Sequence, residues 1–296
     1  MMIMAKGSPG ERHPSIDADG LLWDVSTPSQ PRCLPGLAMA GFGDRGITPP
    51  DLRLIPHPAV TLLVVFGGSI TVDDGTGRRL HGSFAFGPGY SRALRALQLD
   101  TFSCLQIRLS PDLAGGLFGG LVAELGEVVA FEDLWGPTAG HLIDQLDSAP
   151  DWPSRFRLFQ DRLLSRLGAE TTTNRRGGSA RTWSAWHQIR QTRGRIRVDE
   201  LASELDWSRK RLWSHFRAQV GLTPKQAAKL VRFDHAVHRL ARGRPPAEVA
   251  ADCGYSDQSH LHRDVLAFTG LTPAVVAAEP FLAVDHLAWG WPERRS

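Results

Sequence analysis

Between positions 209 and 217 the chain places Arg209, Lys210, Arg211, Trp213, Ser214 and Arg217 outside the inner set Leu212, Phe216 and Val220, whose steps of four mark one helical face. Guanidinium and ammonium groups donate to phosphate oxygens or to the O6/N7 edge of guanine. A hydroxyl serves either, and an indole packs on sugar or on a thymine methyl. Further along, Ser256, Gln258, Ser259, His260 and Arg263 stand outside a second inner set, Leu261, Val265 and Phe268. A carboxamide such as Gln258 matches the N6/N7 edge of adenine, and Arg263 matches guanine or phosphate. His260 either joins them or hydrogen-bonds the start of its own helix. Asp257 and Asp264 carry the sign that phosphate repels, which limits how closely this second face can approach. As solvated surface these residues would do nothing; the scaffold that carries them argues otherwise.

That scaffold is repeated. Trp207-Ser208, Leu212 and Gly221-Leu222-Thr223-Pro224 recur as Tyr255-Ser256, Leu261 and Gly270-Leu271-Thr272-Pro273, with the two tetrapeptides 49 residues apart. In the first unit Leu201, Ala202 and Leu205 line a short helix. A turn at Asp206-Trp207 follows, and Ser208 is placed to cap the next helix. In the second unit Val249, Ala250 and Cys253 play the inner part and Gly254 makes the turn. Asp206 stands where Gly254 stands, a position suited to left-handed backbone. Two short helices joined so tightly form a helix-turn-helix. Between the units Thr223-Pro224 starts a helix and Arg242-Gly243 stops it, with Leu230, Phe233, Val237 and Leu240 as its stripe. About 18 residues at ~1.5 Å each give a rod of about 27 Å, a spacer on the scale of successive major grooves.

Residues from about Trp183 to Glu279 resemble the DNA-binding domain of the AraC/XylS family of transcriptional regulators. The matches are Asp199-Glu200-Leu201-Ala202, Leu212-Trp213-Ser214-His215-Phe216-Arg217, Val220-Gly221-Leu222-Thr223-Pro224, Val249-Ala250-Ala251-Asp252-Cys253-Gly254-Tyr255 and Asp257-Gln258-Ser259-His260-Leu261. There are two departures. Asp206 replaces the usual turn glycine, and Val265-Leu266 stands where the family has Phe and a basic residue, removing a phosphate contact. The resemblance implies a regulator that binds double-stranded DNA as a homodimer. It leaves room for contact with RNA polymerase and for a small-molecule effector, and it implies no cofactor.

Before this region the pattern is that of strands. Thr61–Phe66, Ser69–Val72, Ser83–Phe86 and Leu97–Leu109 are β-branched, aromatic and apolar, punctuated by Gly67-Gly68, Asp73–Gly77 and Gly87-Pro88-Gly89. The expected fold is α+β in two domains, an antiparallel barrel or sandwich followed by an all-α double helix-turn-helix. Leu142, Leu146, Phe156, Phe159, Leu163, Leu164 and Leu167 predict helices that either cover a barrel edge or form a dimer seam. Residues 20 to 168 resemble the cupin-like sensor domains attached to many such regulators, whose barrel mouth suits a small ligand. Trp23, Arg45 and Arg53 are candidates to line it. His57 and His81 stand alone with no His-x-His pair, so neither a metal nor a catalytic site is expected.

Charge divides with the pattern. From Arg175 onward there are 20 Lys and Arg against 12 Asp and Glu, whereas residues 1–174 have 14 against 19. Only the later part suits a polyanion. The organisation read from this is a tail at 1–20, a sensor or dimerisation domain at 21–170, a linker at 171–180, a DNA-binding domain at 181–281 and a tail at 282–296. No apolar run approaches membrane-spanning length, and the start does not read as a secretory signal, so a cytoplasmic protein is expected. Three scattered cysteines, Cys33, Cys104 and Cys253, form neither a disulfide framework nor a metal set. The rivals are a β-barrel enzyme, which lacks a legible acid/base pair, a DNA-repair alkyl acceptor, which needs a reactive thiolate, and a constitutive DNA binder.

Overall fold

The computed structural model of the chain describes residues 12–13, 23–29, 34–44, 53–88, 90, 92–99, 102–119, 121–124, 126–173, 180–279, 282 and 285. Cys33, Arg45, most of the expected tails, the Trp23 side chain and positions 174–179 of the expected linker lie outside the described residues. The first half holds β1 (Arg12–His13), β2 (Trp23–Ser26), β3 (Leu37–Asp44), β4 (Arg53–Leu54), β5 (Val60–Phe66), β6 (Ile70–Asp73), β7 (Arg79–His81), β8 (Phe84–Phe86), β9 (Leu94–Leu99) and β10 (Ser103–Leu109). Then come α1 (Pro111–Phe118), α2 (Leu121–Glu124), β11 (Val129–Ala130), α3 (Phe131–Trp135), α4 (Ala139–Ser148) and α5 (Trp152–Thr173). The second half is helical: α6 (Ala180–Gln191), α7 (Val198–Glu204), α8 (Arg209–Val220), α9 (Pro224–Ala241), α10 (Pro246–Asp252), α11 (Gln258–Thr269) and α12 (Pro273–Ala277).

The strands form two antiparallel sheets, β1-β2-β3-β10-β5-β8-β11 and β4-β9-β6-β7. β5 is apolar at nearly every position because both of its faces are covered. Val60, Leu62, Val64 and Phe66 point toward the helices, joined from β10 by Leu105, Ile107 and Leu109. Leu63 and Val65 point the other way, to a second core that Phe42, Phe84 and Phe86 share with Leu54, Ile70, Val72, Leu80 and Leu94 of the smaller sheet. Side chains alternate along a strand, so a one-residue slip of β5 would exchange the two cores.

The stripe on α4 and α5 covers the larger sheet. Leu142, Leu146, Phe156, Phe159 and Leu163 are buried in the first of those cores. Of the two roles expected for these helices, the inner stripe takes the one within the chain. The apolar run Leu97–Leu109, read as one strand, belongs to two strands in different sheets, because β9 ends at Leu99 and β10 starts at Ser103. α5 also continues to Thr173, into the stretch read as linker. No helix among the described residues is long and apolar enough to cross a membrane.

Candidate nucleic-acid interface

Both helix-turn-helix units are built by local rules that the sequence carries. Glu200 Oε2 accepts the Arg197 N–H at 3.3 Å at the start of α7. Asp206 takes the turn in left-handed backbone at φ 53°, as Gly254 does at 75°. Ser208 Oγ then accepts the Arg211 N–H at 3.2 Å and starts α8. Gly221, left-handed, ends α8, and Thr223 with Gln226 forms a reciprocal cap on α9, at 3.0 and 3.2 Å. In the second unit Asp257 Oδ1 accepts the His260 N–H at 2.7 Å and caps α11. Its carboxylate thus serves the helix start, where the macrodipole favours it, more than it opposes phosphate.

The inner sets Leu212, Phe216, Val220 and Leu261, Val265, Phe268 are buried in one core with Trp186, Phe233 and Leu240. The rest of α8 faces out. Arg209, Lys210, Arg211, Trp213, Ser214 and Arg217 are all exposed. Arg209 Nη1 lies 3.1 Å from Asp199, a solvent-exposed pair that contributes little to stability and opens readily. The guanidinium of Arg211 stands 5.2 Å from the Trp207 ring, and that of Arg217 stands 5.6 Å from the Trp213 ring. On α11, Gln258, Ser259 and Arg263 are exposed, as is Ser256 just before it. His260 is half-buried edge-on to Tyr255 with Nδ1 3.2 Å from Ser256 Oγ, the helix-start role.

Asp264 departs from its expected place. It is buried and paired with Lys229 at 3.1 Å and Arg232 at 3.6 Å, both on α9, so it does not oppose phosphate from the outer face. One outward residue, His262, has no place in the sequence reading, and Leu266 enters it only as a departure from the family pattern. His262 and Leu266 lie 49 residues after Trp213 and Arg217 and are exposed like them, and the repeat offset alone would have found His262. The paired faces therefore differ in charge: α8 presents the cations Arg209, Lys210, Arg211 and Arg217, and the matching positions of α11 hold Gln258, Ser259, His260 and Leu266, with Arg263 standing opposite Ser214.

A second cluster lies where the barrel half meets α9, and it was invisible in the sequence because its members are far apart. His57, read as solitary, is buried with Arg108, Asp234, His238 and Asp285. Arg108 Nη2 donates to His57 Nε2 at 2.6 Å and to Asp285 Oδ1 at 2.9 Å. A guanidinium can only donate, which assigns the His57 Nδ1 proton to its 2.6 Å bond with Asp234 Oδ1. His238 has acceptors at both nitrogens, the Asp234 carbonyl at 2.6 Å and Asp285 Oδ2 at 2.8 Å. Burial alone would lower its pKa, but Asp234 and Asp285 outweigh that and push it up to about 9. Burial alone would likewise raise Asp285, yet Arg108 and the hydrogen bond from His238 hold it well below the usual carboxylate range.

His57, His238 and Asp285 also bring three ligand atoms within 4.8 Å of one another. Arg108 already occupies His57 Nε2, and two cations balance two carboxylates, so the cluster closes electrostatically without an ion. Arg53, expected to line a pocket, reaches instead to Thr269 O in the last turn of α11, 3.4 Å away. On the other side of the junction Trp183 of α6 packs over Gly115 of α1, where an added Cβ would stand 3.2 Å from its ring. Cys104 and Cys253 are buried free thiols, and burial raises the pKa of both. Neither favours the thiolate that an alkyl acceptor requires.

A sequence family described as a helix-turn-helix domain matches residues 201–279. An uncharacterized HTH-type transcriptional regulator, YbfI of Bacillus subtilis, is 32% identical over 66 residues, which is 22% of this chain and 24% of that protein. The probable transcriptional regulator LumQ of Photobacterium leiognathi is 32% identical over 80 residues, 27% of this chain and 32% of that protein. The matched part thus spans about a quarter to a third of these relatives. A crystal structure of an apo ToxT variant from Vibrio cholerae is similar over 83% of this chain and 98% of that one, with a TM-score of 0.51 at 10% identity, a likeness of fold. Residues 201–279 therefore carry a helix-turn-helix domain similar to those of transcriptional regulators, and the two-part architecture of the chain is similar in fold to that of ToxT.

Proposed function

We propose that the protein is a sequence-specific DNA-binding transcriptional regulator in which α8 and α11 enter successive major grooves. The barrel half, up to the junction at 171–180, adjusts that binding. The observation that carries this reading is the outer face of α8. Four cationic side chains, a hydroxyl and an indole are all exposed on a helix whose opposite face is wholly buried. Arg209, Lys210, Arg211 and Arg217 supply phosphate and guanine contacts, with Ser214 and Trp213 between them. Ser256, Gln258, Ser259 and Arg263 supply the second set, and His260 orders its helix start. The place we assign to a small effector is the cleft lined by Phe42, Leu54, Phe86, Gln106 and Arg108 and closed by Asp285, which has room for about one water as it stands, so an effector would have to widen it. No residue is given a catalytic role. Pairing of two copies would use the outer side of α5, where Leu164 is exposed, because its inner stripe is spent on the sheet. RNA polymerase is the further partner this class of regulator implies.

The test is duplex binding by the full chain as salt is varied. Neutralising several phosphates releases counterions, so affinity should fall by about 10³ or more between 50 and 200 mM salt. Replacing Lys210 and Arg217 together by Ala should flatten that slope by about two phosphates. Absence of duplex binding at 50 mM salt would end this reading.

A further inference from the structure

Three side chains of one short barrel segment enter the helical half. Arg53, Ile55 and His57 occupy alternate positions beginning in β4, and alternate residues of extended backbone share a face. Arg53 Nη1 donates to Thr269 O at the end of α11, 3.4 Å away. Ile55, buried, belongs to the apolar core that Trp186, Phe216, Phe233 and Phe268 form in the helical half. His57 Nδ1 donates to Asp234 of α9. Leu54, between them, faces the opposite way into the core between the two sheets.

The helical half continues the connection. α9 offers Asp234 to His57 of the barrel segment and His238 to Asp285, which Arg108 of β10 also holds, and it offers Lys229 and Arg232 to Asp264 in the middle of α11. α11 is therefore held at its last turn by Arg53 and at its middle by α9, which His57 holds in turn. α8 is met differently, by α2 packed against it. The cleft at the barrel mouth has Leu54, Ile55 and His57 in its wall, so whatever fills it touches the same segment. α11 also lacks the cationic face of α8, so its contribution depends on presentation more than on phosphate attraction. A shift of about 1 Å takes a base contact out of hydrogen-bond range.

We propose that Arg53, Ile55 and His57 are positioning residues for α11, carrying the state of the barrel cleft to the second reading helix. The inference rests on the reading of α8 and α11 as the DNA-contacting pair. The experiment uses the full chain and a duplex selected from a random library. Ser214→Ala assigns the base positions read by α8, and Gln258→Ala those read by α11. Arg53→Ala and His57→Ala should then reduce mismatch discrimination about tenfold at the α11 positions and less than about twofold at the α8 positions. Arg53→Lys and His57→Asn, which keep a donor in place, should recover most of it. Equal loss at both sets of positions would mark general loosening and overturn the proposal, as would unchanged discrimination at both. A wild-type chain that selects no sequence is a separate result, which removes the underlying reading of α8 and α11 and this proposal with it.

Discussion

Arg108→Ala lowers the unfolding free energy of the full chain by about 3 kcal/mol, because it strips a buried carboxylate of one of its two cations while leaving the carboxylate in place. Arg108 is buried on β10, and its Nη2 serves both Asp285 and His57. Truncation leaves Asp285 with His238 as its remaining cationic partner and frees the acceptor Nε2 of His57. The comparison is Arg78→Ala. Arg78 and Glu127 are 3.9 Å apart, 51% and 83% exposed, and water screens their attraction. That change should cost less than about 1 kcal/mol. Urea unfolding of both variants checks the contrast. Equal midpoints would show that the junction cluster contributes nothing to holding the halves together.

Raising the pH from 6.5 past 9 removes a second contribution of roughly 3 kcal/mol, at about 1.4 kcal/mol per unit of pKa shift. The His238 pKa is raised from 6.5 to about 9 in the folded chain. The folded state therefore binds its proton more tightly than the unfolded state does. The resulting stability is complete below 6.5, declines through the window and is gone above 9. Asp285 acts with the opposite sign, since its folded pKa is depressed well below 3.8. Its contribution is present above that value and is lost as the pH falls further. His238→Asn should remove the alkaline decline between 6.5 and 9 and leave the acid limb. A variant that keeps the wild-type profile in that window would show that another group is responsible.

The two units and their order were legible because every rule involved is local. Caps at Ser208 and Thr223, glycines at 221, 254 and 270, and apolar steps of four fix a helix-turn-helix within a few residues of chain. The sandwich was legible as strands and turns, but the assignment of β9 and β10 to different sheets is a tertiary fact that hydropathy does not record. His57 illustrates the limit most clearly. Its partners Arg108 and Asp234 are 51 and 177 positions away, so no spacing pattern marks it. Asp264 shows the converse: its place on α11 suggested an outer face, yet Lys229 and Arg232 of α9 draw it inward. His262 was within reach of the repeat and needed only its offset to be applied at every outward position, as it was at Leu266.

The central claim, that α8 and α11 read DNA side by side, is tested most directly by selecting sites for the full chain from a random duplex library at fixed salt. Two helices on one rigid DNA-binding domain predict two enriched blocks, centred about one helical turn, ~10 bp, apart. Ser214→Ala or Lys210→Ala should relax preference in one block only, by about 1–3 kcal/mol at each contacted base. Gln258→Ala should relax the other. A single block unaffected by any change on α11, or an enriched sequence that survives all of these substitutions unchanged, would contradict the account.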